Sequence, residues 1–370
     1  MKKNQYDAII VGARAAGATT AMLLARRGLR VLVVDRARYG SDTLSTHALM
    51  RPAVMQLDRW GLLDTVIASG VPPVRRAVFH YPDARVALDI EPLYAPRRTV
   101  LDAILVDAAV AAGAEVRFGV VVEELLKDDS GRAIGIAGED LSERADIVIG
   151  ADGIRSIVAA EVDAPFTREA KSGGACLFAY YRGVEAEGYE WVYGDRVASG
   201  IIPTNDGEVC VFVGGPALRF RRDVQPDLER GFFQILAESS PDVGVRVARG
   251  ERTTRLRGFA GVRGYARKPF GPGWALVGDA GYFRDPITTH GITDAFRDAE
   301  LLTRAIVGLS TFADYEATRD AVTRDLFDVT ERIAAYDWTI DEVKRHLRDV
   351  SRAMKAETEL IASFERKEVA

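Results

Sequence analysis

Cysteine is scarce in this sequence: Cys176 and Cys210 are the only two among 370 residues. Two thiols cannot staple a chain of this size, and both lie in strand-like stretches. Buried, reduced thiols are therefore expected, as in a cytoplasmic protein. Histidine is nearly as rare, with four residues. None has metal-ligand spacing, so no metal site is expected, and none sits in the pattern of a hydrolytic triad. Positive charge is not in excess either. A net charge of -5 argues against nucleic acid as a main partner. No apolar run approaches the roughly 18 residues needed for a membrane span. The short run after Tyr6 enters a glycine turn directly, which is unlike a signal peptide. There is no internal repeat and no low-complexity segment.

What the sequence does contain starts at Tyr6–Asp35. Ala8–Val11 is a short apolar run suited to a buried parallel strand. Residues 12–17 form a glycine turn, Ala15–Arg27 has helical character, and Gly28 ends it. Val31–Val34 gives a second buried strand with Asp35 at its carboxyl end. This is the βαβ fingerprint of a dinucleotide site. Gly12 permits the tight turn, Gly17 allows close packing of helix on strand, and the helix N-terminus offers N–H groups to a pyrophosphate. Asp35 suits ribose hydroxyls. The middle glycine is replaced by Arg14, whose guanidinium could meet a phosphate.

A chain of this length exceeds one ordinary core, so two interlocked domains are expected. Helical spacing returns at Leu49, Val54, Leu57 and Leu62, with Pro52 in a first turn. Val74–Tyr81 and Val86–Ile90 read as strands joined at Pro82-Asp83. Arg97–Ala112 is a helix, Glu115–Phe118 a strand, and residues 120–150 a small meander ending in a buried strand. From Gly174 to Gly214 the pattern is hairpin after hairpin, with Asn205-Asp206-Gly207 as a strong turn. Pro226–Leu236 reads as a helix, Trp274–Gly278 as a buried strand, and Gly291–Val307 as a helix. The tail from Phe312 to Phe364 is helical. The expected division places 1–71, 98–170 and 270–310 in a Rossmann-like α/β domain, 72–97 and 171–269 in an antiparallel substrate domain, and 311–370 in C-terminal helices.

Two later stretches repeat the strand-then-glycine-turn design. Ile149-Gly150-Ala151-Asp152-Gly153 is one, and Leu276-Val277-Gly278-Asp279-Ala280 is the other, continuing through Asp285-Pro286 to His290-Gly291. With the fingerprint, these turns make the first 310 residues resemble the para-hydroxybenzoate hydroxylase-like FAD enzymes. That group includes flavoprotein monooxygenases, geranylgeranyl reductases and flavin-dependent halogenases.

The resemblance implies FAD as cofactor. Gly12, Arg14, Ala15, Ala16, Gly17, Asp35 and Arg36 would hold its ADP part, with Val121 presenting backbone to the adenine. Arg98 would serve the pyrophosphate or ribityl chain. Asp152 and Gly153 occupy the family's Asp-Gly motif, and Gly278-Asp279 the turn that takes the ribityl hydroxyls. Pro286, Gly291, Ile292 and the Ser45-Thr46-His47 loop would face the ring, making His47, His290 and Pro286 the candidates for chemistry. A protonated His290 would stabilise the reduced flavin anion. The halogenase Trp-x-Trp-x-Ile-Pro signature is absent, and its lysine has no counterpart near Arg75-Arg76. Tyr189-Glu190-Trp191 is similar to part of a geranylgeranyl reductase motif whose proline is missing after Tyr193.

The function implied is a monooxygenase that hydroxylates or epoxidises a small organic substrate through a flavin hydroperoxide. Molecular oxygen would be the co-substrate, and NAD(P)H or a partner flavin reductase the electron source. A double-bond reductase and a non-catalytic nucleotide-binding protein are the alternatives. A homo-oligomer is possible in any of these cases.

Overall fold

The computed structural model describes residues 5–368. The chain opens with β1 (Tyr6–Val11), α1 (Ala15–Arg26) and β2 (Val31–Asp35). A helix at Arg51–Arg59, with Pro52 in its first turn, leads to the hairpin β3 (Val74–Tyr81) and β4 (Ala84–Leu93). The chain then returns through α2 (Arg98–Ala111), β5 (Glu115–Phe118) and β6 (Leu141–Gly150). A second excursion makes β7 (Gly174–Arg182), β8 (Tyr189–Gly194), β9 (Val197–Pro203) and β10 (Glu208–Pro216). Finally come β11 (Trp274–Leu276), α3 (Gly291–Ile306), α4 (Phe312–Ala334) and α5 (Ile340–Glu368).

The parallel sheet runs β11-β6-β1-β2-β5. β2 is buried at every residue because helices or further chain cover both sheet faces, which is why these strands read as unbroken apolar runs. Register matters most at the carboxyl edge. Val11 pairs with Gly150, and Gly150 with Leu276. The turns after β1, β6 and β11 therefore leave the sheet side by side, at the edge where open α/β sheets bind their ligands.

The second sheet runs β7-β10-β9-β8-β3-β4, with Glu251–Arg252 outside β7. Its side chains alternate between two cores. Phe178, Tyr180, Tyr189, Ile202, Cys210 and Phe212 join the core of the parallel-sheet half. Leu177, Ala179, Val192, Val211 and Val213 pack with the helices Leu228–Ser239 and Pro241–Ala248.

Of the expected hairpins, β8-β9 and β9-β10 are present and only the first link, β7 to β8, is corrected. β10 lies between β7 and β9, and β8 pairs in parallel with β3. β7 and β10 are both nine residues long and match end to end, whereas β8 offers only six. The longer pairing satisfies more backbone groups than the local hairpin would. A small third sheet, unforeseen in the sequence, joins Phe166–Glu169, Tyr265–Arg267 and Tyr282–Phe283. The helical tail is two helices whose connection carries Tyr336 and Trp338 against Tyr193 and Ala198.

Candidate active site

The glycine turn after β1 is sterically committed. Gly12 has φ +105°, and a Cβ there would stand 2.4 Å from the Ala151 carbonyl oxygen. A Cβ on Gly17 would stand 1.8 Å from the Gly12 oxygen. Strand, helix and the next turn thus meet backbone to backbone. Asp35 holds the loop from the other side, accepting from the Ala13 and Ala37 N–H groups at 2.7 Å each. No side chain caps α1, and Ala15 and Ala16 begin it, so its first N–H groups are available to an anion.

Arg14 does not project freely. Its guanidinium donates to Asp102 at 3.1 Å, to the Ser41 carbonyl at 3.1 Å, and to the Ser41 hydroxyl and Asp42 carbonyl at 3.3 Å. Arg98 grips the same Asp102 with two bonds of 3.0 Å. Asp42 is in turn held by Arg257 at 2.7 Å. The loop from Ser41 towards His47 is therefore tied to α2 on one side and to the second sheet on the other. A cleft bounded by Arg14, Asp35, Ser41, Asp102 and Phe118 opens beside it. Arg36 is exposed at its rim, and Val121 is 57% exposed on the connection whose Val120 N–H bonds to the Asp35 carbonyl.

The other two turns close over this loop. A Cβ on Gly278 (φ +56°) would lie 2.9 Å from that of Ala16, so the third turn sits directly on the start of α1. Burial, with Asp294 and Asp298 nearby, pushes the Asp279 carboxyl up to about 7, and Arg98 opposes the shift. The Asp152 carboxylate accepts from the Ile157 N–H at 2.7 Å, and Gly153 takes φ +80°. Tyr265 bridges the two turns, donating to the Asp279 carbonyl at 2.6 Å with the Ile154 carbonyl at 3.4 Å.

The far end of the site is built differently. Asp285 caps the Pro286–Thr288 turn through the Ile287 N–H and accepts from the Gly174 N–H at 2.7 Å. Burial raises its pKa to about 6. Thr289 is left-handed at φ +58°, a conformation a β-branched residue adopts only under tertiary constraint. His47 (φ +48°) and Tyr336 (φ +53°) are left-handed and buried too. Beyond Thr289, Gly291 opens α3 with nothing within 4 Å of its Cβ position, and no side chain caps that helix. Ile292 is buried behind it.

Both histidines are neutral. His290 Nδ1 lies 2.5 Å from the Thr288 carbonyl and His47 Nδ1 lies 3.1 Å from the Ala95 carbonyl, so each Nδ1 carries the proton. Both Nε2 atoms are buried without a hydrogen-bond partner among the described residues. Burial lowers each pKa to about 3, helped by Arg284 for His290 and by Arg97 and Arg98 for His47. The expected protonated His290 is thus corrected: its environment leaves the ring as a hydrogen-bond acceptor. His47 stacks on Tyr180 at 5.5 Å, with Arg97 3.5 Å above the same ring. Tyr180, Phe178, Tyr189, Trp191 and Phe212 make an aromatic wall on this side of the second sheet.

Behind α3 lies a buried ionic network. Arg284 makes two or more bonds to Asp294, and Arg297 reaches Asp294, Asp298 and, from α5, Glu357 at 2.8 Å. Sequence reasoning missed Asp102, Asp42, Arg257, Tyr265 and this network. Arg98 with Asp102 (i,i+4) and Asp294 with Arg297 (i,i+3), both pairs on helices, carried a local signal.

Three strand-end turns around the uncapped start of α1 at one end, and buried neutral histidines beside an aromatic wall at the other, are the arrangement expected of a dinucleotide-dependent oxidoreductase. The chain belongs to the FAD binding domain family, which matches residues 5–328. It is 29% identical over 323 residues to digeranylgeranylglycerophospholipid reductase 2 of Methanopyrus kandleri, covering 78% of this chain and 73% of that protein. It is 25% identical over 345 residues to the 1H-pyrrole-2-carbonyl-[peptidyl-carrier protein] brominase of Pseudoalteromonas luteoviolacea, covering 85% and 81%. A solved flavin-dependent brominase shares the fold, with a TM-score of 0.80 at 22% identity over 98% of this chain and 99% of that one. The site fits FAD on its own geometry. The Gly12–Gly17 turn and uncapped α1 suit the pyrophosphate, Asp279 beside Ala16 suits the ribityl chain, and open space at Gly291 suits the ring. The protein is an FAD-dependent oxidoreductase of the group A flavoprotein superfamily. No helix among the described residues is long and apolar enough to cross a membrane.

Proposed function

We propose that the protein is a monooxygenase acting on a small organic substrate, with residues 72–97 and 171–269 forming the substrate side. The observation that carries this is the burial of His47 and His290, each with an unused Nε2, together with the aromatic wall on the core-facing side of the second sheet. Enclosure keeps water from a reactive reduced cofactor, which oxygen chemistry requires. FAD would supply the redox step. The uncapped N–H groups of α3 would stabilise negative charge on the ring's pyrimidine edge. His47 and His290 would accept hydrogen bonds through Nε2 from a donor on the ring or the substrate, and the buried Tyr189 hydroxyl, beside the Leu49 backbone, would donate one to substrate. With one βαβ unit, NAD(P)H would meet the flavin only transiently, or a partner flavin reductase would deliver the electrons.

A second reading is favoured by a specific observation. Tyr189 and Trp191, the similar half of the reductase motif, touch edge to face on the chamber side, and a digeranylgeranylglycerophospholipid reductase is among the relatives. One experiment separates the two. The protein is reduced anaerobically with NADH, NADPH or dithionite, then mixed with phenols or isoprenoid alkenes, with and without air. Substrate-dependent oxygen uptake with an oxygenated product is expected. Anaerobic reoxidation by an alkene would establish the reductase instead.

A further inference from the structure

β4 ends the second sheet and pairs only with β3 among the described residues. It is ten residues long and exposed along almost all of it, with Val86 at 42% and Leu88 at 49%. Natural edge strands are usually shortened, bulged or protected by lysine or proline. Between Ala84 and Asp89 this one is regular and carries neither lysine nor proline; the register with β3 shifts only beyond Asp89, and Pro82 and Pro92 stand at equal distance from Ala87.

The hairpin decides which backbone groups are free. Tyr81 and Ala84 close a two-residue turn, so they exchange hydrogen bonds, as do Phe79 with Val86 and Ala77 with Leu88. Arg85, Ala87 and Asp89 then point their N–H and C=O groups outwards. An antiparallel copy centred on Ala87 meets those groups in register. Ala87 faces the partner's Ala87, Arg85 faces the partner's Asp89, and Asp89 faces the partner's Arg85. On the opposite face, Ala84, Val86, Leu88 and Ile90 meet the partner's Ile90, Leu88, Val86 and Ala84. Arg85 and Asp89 set unlike charges across one face and apolar side chains meet on the other, while at the margin Asp83 faces the partner's Glu91. Asp83 at the margin is already neutralised by Lys344 at 2.7 Å. Within one protomer Arg85 pairs with Glu187, and Asp89 with Arg76 at 3.1 Å.

We propose that β4 is the self-association edge of this protein. Two copies pair their β4 strands antiparallel about Ala87, joining two eight-stranded sheets into one across a two-fold axis. The arrangement is isologous, so it closes at a dimer and leaves no β4 edge for further growth.

The test is sedimentation equilibrium of the flavin-loaded protein across a wide concentration range. A dimer that dissociates on dilution is expected. Ala87→Pro removes an outward N–H that β3 does not use, and should weaken association at least tenfold. Arg85→Asp and Asp89→Arg each set like charges across the seam and should each be monomeric. Mixed together, the two should form a heterodimer, because both pairs between positions 85 and 89 are then of opposite sign. Intrachain contacts cannot mimic that rescue, since both changes repel Glu187 or Arg76. A wild-type monomer at every concentration overturns the proposal, as does a dimer indifferent to Ala87→Pro. Failure of the mixed variants to associate overturns the register and, with it, the proposal. A monomer that binds phosphatidylcholine vesicles through this strand would overturn it in favour of lipid. Flavin content and circular dichroism confirm folding, and should Ala87→Pro misfold, the charge variants decide alone.

Discussion

The two ends of the cofactor site follow opposite designs. At the nucleotide end, backbones touch through Gly12 and Gly17, and charged side chains bind one another in a chain from Arg98 through Asp102 and Arg14 to the Ser41–Asp42 loop. At the ring end, the histidines are neutral and three non-glycine residues are held left-handed. Rigidity at the first end comes from close approach and ionic bonds. At the second it comes from tertiary packing that imposes unfavourable torsions. The first end is suited to binding tightly, and the second to aiming the uncapped N–H groups of α3 where negative charge develops, with the neutral histidines left as acceptors for a donor.

The sharpest way to break this contrast is Gly17→Val. Its Cβ would collide with the Gly12 carbonyl, so a loss of about 3 kcal/mol or more is expected. The flavin-to-protein absorbance ratio should fall towards zero, and a yellow, normally melting variant would refute the close-packing argument.

The ring end is tested next by pH. The folded pKa of His290, about 3, lies below its unfolded value of about 6.5, so the unfolded chain takes the proton first. The neutral ring's contribution is therefore complete above pH 6.5 and is lost as pH falls from there towards 3. Asp279, raised to about 7, acts in the opposite direction, so a difference from wild type is the right quantity. In urea unfolding at fixed FAD, His290→Gln should gain on wild type by about 1.4 kcal/mol per pH unit below 6.5, or about 2 kcal/mol at pH 5. The flavin midpoint difference between the two should be constant from pH 6 to 8. A difference that shrinks with rising pH would restore a charged imidazole.

Arg14 returns the comparison to the nucleotide end. If it acts by tethering the Ser41–Asp42 loop through Asp102, Arg14→Ala and Asp102→Asn should each weaken FAD binding about tenfold, and the double variant little further. Fluorescence titration of the apoprotein measures all three. Additive losses would mean that Arg14 meets the phosphate directly. The smallest effect is expected at Thr289→Gly, which relieves a left-handed threonine. A gain of about 1 kcal/mol in unfolding free energy is expected, and no gain would show that the turn is unstrained.

Much of the first end was legible because its determinants are local. Strand, glycine turn and helix follow one another from Tyr6 to Asp35, and the turns at Gly150–Gly153 and Leu276–Ala280 repeat the pattern. Adjacent strands then bring the three turns together. The ring end was legible in place but not in state. His47 and His290 were located from their loops, yet their neutrality follows from burial, which no spacing reveals. Asp42 and Arg257 are 215 residues apart, and Tyr265 reaches Ile154 across 111. Such partners carry no sequence period. The strand order failed for a related reason: turn residues name hairpins, but strand length decided that β10 displaces β8 from β7.

The contact between Arg297 and Glu357 has a consequence during synthesis. The two residues are separated by 60 positions, which a ribosome adds in roughly 3–12 s. Through that interval α3 exists with a cation whose distal carboxylate has not yet been made. Asp294 and Asp298 already face Arg284 and Arg297 at that stage, so the buried cations of α3 are not left bare while α5 is awaited. The nucleotide turns and α3 can thus assemble first, and Glu357 fastens the last helix onto a network that is already paired.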